Sequence, residues 1–188
     1  MDSFEQVVAS ILERKGYWTR TALKVALEPE DKHAIDRPSS PRCELDVVGY
    51  SGRDNHLVIL ECKSFLDSPG VRSGTFAGNN PKDEKRYKLF FEDTLRKVVL
   101  KRLVKQLVHH GFCAPRPRVT FGLAAGRIHG DAAWLQRYFK TKRWQLWTPD
   151  FIAKELRSFR HSKYENSVAW VVAKLILAGT ADDETMAT

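Results

Sequence analysis

The chain has 188 residues, 43% of them hydrophobic and 29% charged, a balance that suits one domain with a sizeable core and excludes a disordered chain. Its formal net charge of +8 points to a polyanionic partner, nucleic acid before membrane. No apolar run approaches membrane-spanning length, and "MDSFEQVVASILERKG" at the start lacks a basic-then-apolar signal region, so no membrane partner is expected and the cytoplasm is the expected location.

In chain order, "DSFEQVVASILERKGYW" reads as a helix: Ser3 is placed to cap it, Phe4, Val7, Val8, Ile11 and Leu12 recur at helical spacing, and Gly16 closes it. "YWTRTALKVAL" alternates as a strand. Residues 28–43, with three prolines and many polar side chains, read as a loop. Two apolar runs, 44–50 and 57–63, are separated by "SGRDNH", whose Gly52 and Asp54-Asn55 are turn residues, so a β-hairpin is expected. Residues 65–83 form a long Gly/Pro/Asn-rich connection, of a length found in functional or disordered loops.

The segment 84–110 predicts a helix. Val99, Leu100, Leu103, Val104 and Leu107 share one arc of its second half, while Lys101, Arg102, Lys105 and Gln106 share the other. In its first half Phe91, Leu95 and Val98 lie on the opposite arc, which demands a partner there or a break. A short buried strand (118–126), a helix (131–142), a short strand (144–147) and helices near 149–158 and 163–178 complete the pattern. Trp134, Trp144 and Trp147 read as core residues. Residues 1–180 are expected to be a single domain and 181–188 a flexible acidic tail. Cys43, Cys62 and Cys113 show no CxxC spacing and the histidines no zinc pattern, so the thiols read as small apolar residues in a reducing compartment.

The charges in "ELDVVGYSGRDNHLVILECKS" are the anomaly. A turn centred between Arg53 and Asp54 sets Asp46 opposite Glu61 and Glu44 opposite Lys63, and alternation points Glu61 and Lys63 to one side. Like charges directly opposed on one face of a hairpin are destabilising. A hard divalent cation, Mg²⁺ or Mn²⁺, offsets that repulsion with carboxylate oxygens, water and a substrate phosphate as ligands. Lys63 is then placed to position or activate an attacking water, or to offset charge on the phosphate.

These residues resemble the PD-(D/E)XK nuclease superfamily, nearest the branch of Holliday-junction resolvases and Mrr-type restriction enzymes. The resemblance spans about residues 4–125 and rests on "FEQVVASILERKGYW", Asp46, and "ECKS" ending in Ser64. Leu45 stands where that family's name has proline. The resemblance implies an α/β, restriction-endonuclease-like fold: an αβββαβ core with a mixed sheet flanked by helices, here with extra C-terminal helices. It implies a metal-dependent nuclease acting on phosphodiester bonds, of DNA before RNA, in which Asp46 and Glu61 bind metal, Lys63 serves catalysis, and Glu5 completes the metal shell from the first helix. Gln106 resembles the glutamine that several branches aim at the site, and a homodimer is the expected route to cutting two strands. Arg96, Lys97, Lys101, Arg102 and Lys105 on the helix, and Arg72, Lys82, Lys85, Arg86 and Lys88 before it, are candidates for tracking the nucleic-acid backbone. Two other classes fit the same residues: a catalytically silent nucleic-acid-binding module of this fold, and an interaction domain whose carboxylates form a structural ion-pair network.

Overall fold

A mixed sheet with helices on both faces builds the molecule. The computed structural model describes residues 2–37, 39, 43–161, 167 and 169–176. In chain order its strands are β1 (Trp18–Val25), β2 (Cys43–Ser51), β3 (His56–Lys63), β4 (Val71–Arg72), β5 (Arg118–Ala125), β6 (Ile128–His129) and β7 (Gln145–Trp147). The helices are α1 (Ser3–Arg14), α2 (Pro29–Ala34), α3 (Ser73–Phe76), α4 (Pro81–Glu84), α5 (Lys88–Phe91), α6 (Asp93–His109), α7 (Ala132–Thr141) and α8 (Pro149–Arg157), with a further helical stretch at 169–176. β1, β2 and β3 form an antiparallel meander, β5 joins β3 in parallel and β7 joins β5 in parallel. The sheet order is therefore β1-β2-β3-β5-β7, and the fold class is α/β. Among the described residues no helix is long and apolar enough to cross a membrane.

The two faces carry separate cores. On one, Val8, Ile11 and Leu12 of α1, with Ile152 of α8 and Trp170, cover Val47, Val58 and Leu60. On the other, Val99, Leu103 and Leu107 of α6 cover Leu45, Val48, Ile59, Phe121 and Leu123. Burying side chains of this size contributes roughly 1.5–3 kcal/mol each, which is why both helices keep to the sheet along their length. Trp147 is buried, and Trp134 and Trp144 pack against the α6-side core, as the sequence predicts.

Several local expectations change. Asp2, not Ser3, caps α1, its Oδ1 accepting from the Phe4 backbone N–H at 2.8 Å. The proline-rich segment after β1 contains α2, started by Pro29 and a capping box between Glu28 and Asp31. The 65–83 connection is not a structureless loop but holds β4, α3 and the start of α4, with β4 paired to β6.

The predicted long helix breaks at Glu92, whose φ of −99° and ψ of 91° are extended, and only α6 is a long helix. The break lets Leu89 and Phe90 on one side and Leu95 on the other all enter the core. It also strands carbonyls at the end of α5. Arg96 Nη1 donates to the Leu89 and Phe90 carbonyls at 2.9 and 3.3 Å, so a cation expected at the surface is consumed inside. The last predicted helix (163–178) is seen at 169–176; residue 167 is not helical, and the rest of that span and the 181–188 tail lie outside the described residues.

Gly122 marks the tightest approach in the sheet: a Cβ there would fall 2.4 Å from the Gln145 carbonyl oxygen of β7. Gly122→Ala therefore has to push β7 away from β5, and a loss of about 1–3 kcal/mol in urea unfolding is expected. Gly52→Ala, whose Cβ would meet nothing closer than Tyr50 at 3.9 Å, is the control, expected to stay within about 0.5 kcal/mol.

Candidate active site

The site lies where β2 and β3 part. Their pairing runs from Ser51↔His56 to Val47↔Leu60, the register that a turn centred between Arg53 and Asp54 demands. Beyond that point β2 stays with β1 (Leu23↔Leu45, Lys24↔Glu44) and β3 stays with β5 (Glu61↔Leu123, Lys63↔Ala125). The ladder therefore stops one residue short of Asp46 and Glu61 and never reaches Glu44 and Lys63, so neither expected cross-strand pairing forms. Inside the fork, Asp46 Oδ2 accepts the Cys62 backbone N–H at 2.7 Å, a side-chain bond standing where the next ladder bond would have been.

Asp46 reaches that position because the strand turns at this residue. Val47 packs in the α1-side core, yet Leu45 packs in the α6-side core, although residues two apart on a regular strand share a face. The partner strand is irregular at the same level. Ala22 has a φ of +50°, and the β1–β2 pairing skips Ala22 and Asp46. The carboxylate consequently sits between strands rather than on either face.

Lys63 closes the cluster. Its Nζ is 2.7 Å from Glu61 Oε1 and 3.7 Å from Asp46 Oδ2, so both carboxylates lie within the span of one cation. Sequence reasoning gave the offset of their repulsion to a divalent metal first and to a structural ion-pair network as the alternative; in the folded chain the Lys63 ammonium supplies part of it. Burial pushes the Glu61 carboxyl up; Lys63 pulls it back and Asp46 adds to the rise. Burial opposes the charged form of Lys63, but Glu61 and Asp46 outweigh it and hold the ammonium above its usual range.

Glu5, in the first turn of α1, faces the same cluster from the other layer. Burial raises its carboxyl, and the neighbouring Asp46 raises it further. Its Oε2 is buried without a hydrogen-bond partner. The Cys62 thiol is pushed up by burial first and then by Asp46, Glu5 and Glu61, so it senses all three carboxylates. Among the described residues no three acidic, histidine or cysteine side chains converge closely enough to hold a metal by themselves. The donor set nonetheless fits Mg²⁺ or Mn²⁺. Such ions keep several waters and bind through one or two carboxylates plus substrate phosphate, and Glu5 Oε2 is an acceptor left without a donor beside them.

Gln106 does not join the cluster. Its Oε1 accepts the Ala26 N–H at 2.9 Å and its Nε2 donates to the Lys24 carbonyl at 3.0 Å, pinning α6 to the end of β1. Arg102 is engaged in the same way, 2.5 Å from Asp31 and 3.7 Å from Glu28, joining α6 to α2. Arg96 is held by the α5 carbonyls and lies over the Trp144 ring at 4.9 Å. Lys97 pairs with Asp93 at 2.6 Å but remains exposed.

Most of the remaining candidate cations line one of two cavities. Lys85, Arg86 and Lys88 line a cavity of about 220 Å³ that also contains Glu61, Glu44 and Arg37. Lys97, Lys101 and Lys105 line a groove of about 580 Å³ that runs along α6, joined by Lys142 and Arg143 from the end of α7. Arg72 borders a smaller pocket with Arg86, and Lys82 is exposed on α4. Arg37, Lys142 and Arg143 escaped sequence reasoning because chain packing, not spacing, brings them to these cavities.

No protein-family model, no curated protein and no solved structure matches this chain.

The raised carboxyl of Glu5 gives a signed test. Its folded form binds a proton more tightly than the unfolded chain, so its contribution to stability is complete below the ordinary value of 4.5 and is lost as pH rises through the raised folded value. Glu5→Gln removes that loss. In EDTA, the variant's unfolding free energy in urea, taken relative to wild type, is expected to increase between about pH 4 and about pH 7; a constant or falling difference contradicts the electrostatic picture.

Proposed function

We propose that the chain is a metal-dependent nuclease that hydrolyses phosphodiester bonds, of DNA in the first instance, at the fork between β2 and β3. The observation that carries this reading is the convergence of Asp46, Glu61 and Lys63 on one another, with Glu5, whose Oε2 is buried without a hydrogen-bond partner, near enough for Asp46 to raise its carboxyl. The order helix, three-stranded meander, helix and parallel strand agrees with the resemblance to restriction-endonuclease-like enzymes. So do the cations Lys85, Arg86 and Lys88 around the cavity that holds Glu61.

In this reading Asp46 and Glu61 hold one or two Mg²⁺ or Mn²⁺ ions, with Glu5 as a further oxygen donor. The bound cation supplies Lewis acidity toward the scissile phosphate and lowers the pKa of the attacking water. Asp46 is held for this task by the Cys62 N–H, which fixes one oxygen and leaves the other available. Lys63 stays an ammonium, since its neighbours hold its pKa above the usual range. It therefore neutralises phosphate charge and orients the water by donating hydrogen bonds, and it does not act as the base. Water oxygen bonds to phosphorus, the P–O bond to the leaving strand breaks, the water proton passes to solvent and the leaving oxygen is protonated.

A homodimer, with one site for each strand, is the arrangement that would cut both strands of a duplex in one encounter. Three free thiols, Cys43, Cys62 and Cys113, suit a reducing compartment such as the cytoplasm. One observation favours a second reading: Lys63 already offsets the carboxylates, as a structural ion-pair network or a silent nucleic-acid-binding module would require.

Titration calorimetry with Mn²⁺ and a cleavage panel over duplex, single-stranded and branched DNA separate the two. Wild type is expected to take up Mn²⁺ and cut at least one substrate, Asp46→Ala to lose both, and Lys63→Ala to lose at least about a hundredfold in rate while still binding metal. Neither uptake nor cutting by wild type assigns the cluster to the structural network, and full activity in Lys63→Ala removes the role given to that ammonium.

A further inference from the structure

The connection that leaves β3 does more than link it to α4. Starting from Phe65, two residues past Lys63, it folds into the wall of a small pocket of about 150 Å³. Ser68, Arg72 and Thr75 line this pocket from one side and Asp83, Arg86 and Tyr87 from the other. Thr75 is fully buried, and its hydroxyl has no hydrogen-bond partner, a state that burial penalises until an acceptor arrives.

The wall is built rather than loose. β4 pairs with β6 through Val71↔Ile128 and Arg72↔His129, and the Val71 N–H donates to the Arg127 carbonyl at 2.9 Å. Gly70 has a φ of +99° and lies so near Arg127 that a Cβ would fall 2.6 Å from its carbonyl oxygen. Ser73 Oγ accepts the Asp131 N–H at 3.0 Å.

The chemistry is that of a phosphate site. Two guanidinium groups and hydroxyls are the donors that phosphate oxygens take. The one carboxylate present, Asp83, lies 4.0 Å from Arg86 and offsets only one of the two cations. A volume of about 150 Å³ accommodates a phosphoryl group and not a nucleoside. Arg86 also lines the cavity that contains Glu61, so the small pocket adjoins the carboxylate cluster through a shared arginine.

We propose that this pocket is a phosphate subsite that receives the phosphorylated end of a nucleic-acid strand whose neighbouring phosphodiester lies at Asp46 and Glu61. The proposal rests on the nuclease reading and adds to it a substrate class: strands ending in a phosphate monoester. Such an end is close to a dianion at neutral pH, which matches paired arginines better than an internal diester does.

The test uses the full chain in EDTA, where no metal-dependent cutting occurs. Anisotropy is read on three oligonucleotides of one sequence, carrying a 5′-phosphate, a 3′-phosphate, or neither. One phosphorylated form is expected to bind about tenfold more tightly than the unphosphorylated strand. That preference should vanish in Arg72→Gln and in Thr75→Val and persist in Thr75→Ser and Asp46→Asn. Thr75→Val deletes an unsatisfied hydroxyl at nearly constant shape, so its unfolding midpoint is expected to be unchanged or higher, which separates a lost site from a lost fold. Equal binding of all three strands by wild type, or a preference that survives in both Arg72→Gln and Thr75→Val, overturns the subsite. An end preference in EDTA without cleavage in Mn²⁺ removes the nuclease reading and leaves the subsite standing; cleavage without end preference does the reverse.

Discussion

The interaction on which this structure turns is the side-chain bond from Asp46 to the Cys62 N–H. It occupies the place where the β2–β3 ladder stops, and it allows two strands to diverge without leaving a buried donor unpaired. Divergence is what opens room for Glu61 and Lys63 at the end of β3. The resulting cluster of three ionised groups, each with only about a fifth of its side chain exposed, is not explained by stability. Apolar residues of similar volume at such positions are often as stable or more so. A use for the charges themselves is the better physical reason for their presence, and a polyanionic substrate is consistent with the cations that surround them.

The two layers contribute unequally to the site. From one side α1 brings only Glu5, fixed by the Asp2 cap and by the apolar stripe beneath it. From the other, the break at Glu92 lets α5 lie close to the end of β3, so that Lys85, Arg86 and Lys88 surround the cavity containing Glu61. Had 84–110 remained one straight helix of about 40 Å, those side chains would have followed its axis away from the fork. The break is itself held by charges: Arg96 satisfies the stranded α5 carbonyls and Arg37 pairs with Glu92 at 2.6 Å.

Net charge is accordingly a blunt guide. Arg37, Arg96 and Arg102 all belong to the +8 excess, yet each is committed to an internal acid or carbonyl. By contrast, Lys101, Lys105, Lys142 and Arg143 in the groove, and Lys85 and Lys88 at the cavity containing Glu61, make no ion pair among the described residues. Any electrostatic attraction to nucleic acid has its source there rather than in the mean composition.

Local signals were enough to read from the chain itself the hairpin register over residues 47–60 and the placement of Glu61 with Lys63 on one side of β3. Each follows from short-range periodicity or turn chemistry: side chains on a strand repeat every second residue, and Gly52 with Asp54-Asn55 dictates where the chain reverses. Tertiary structure alone decided the rest. The turn of the strand at Asp46 coincides with an irregular Ala22 in a different strand. Gln106 is drawn to the end of β1, and the walls of the 65–83 pocket depend on β6, more than fifty residues onward. A sequence pattern reports which faces a segment would bury, but not which distant backbone group will claim a polar side chain, because that choice belongs to the partner that packing brings near.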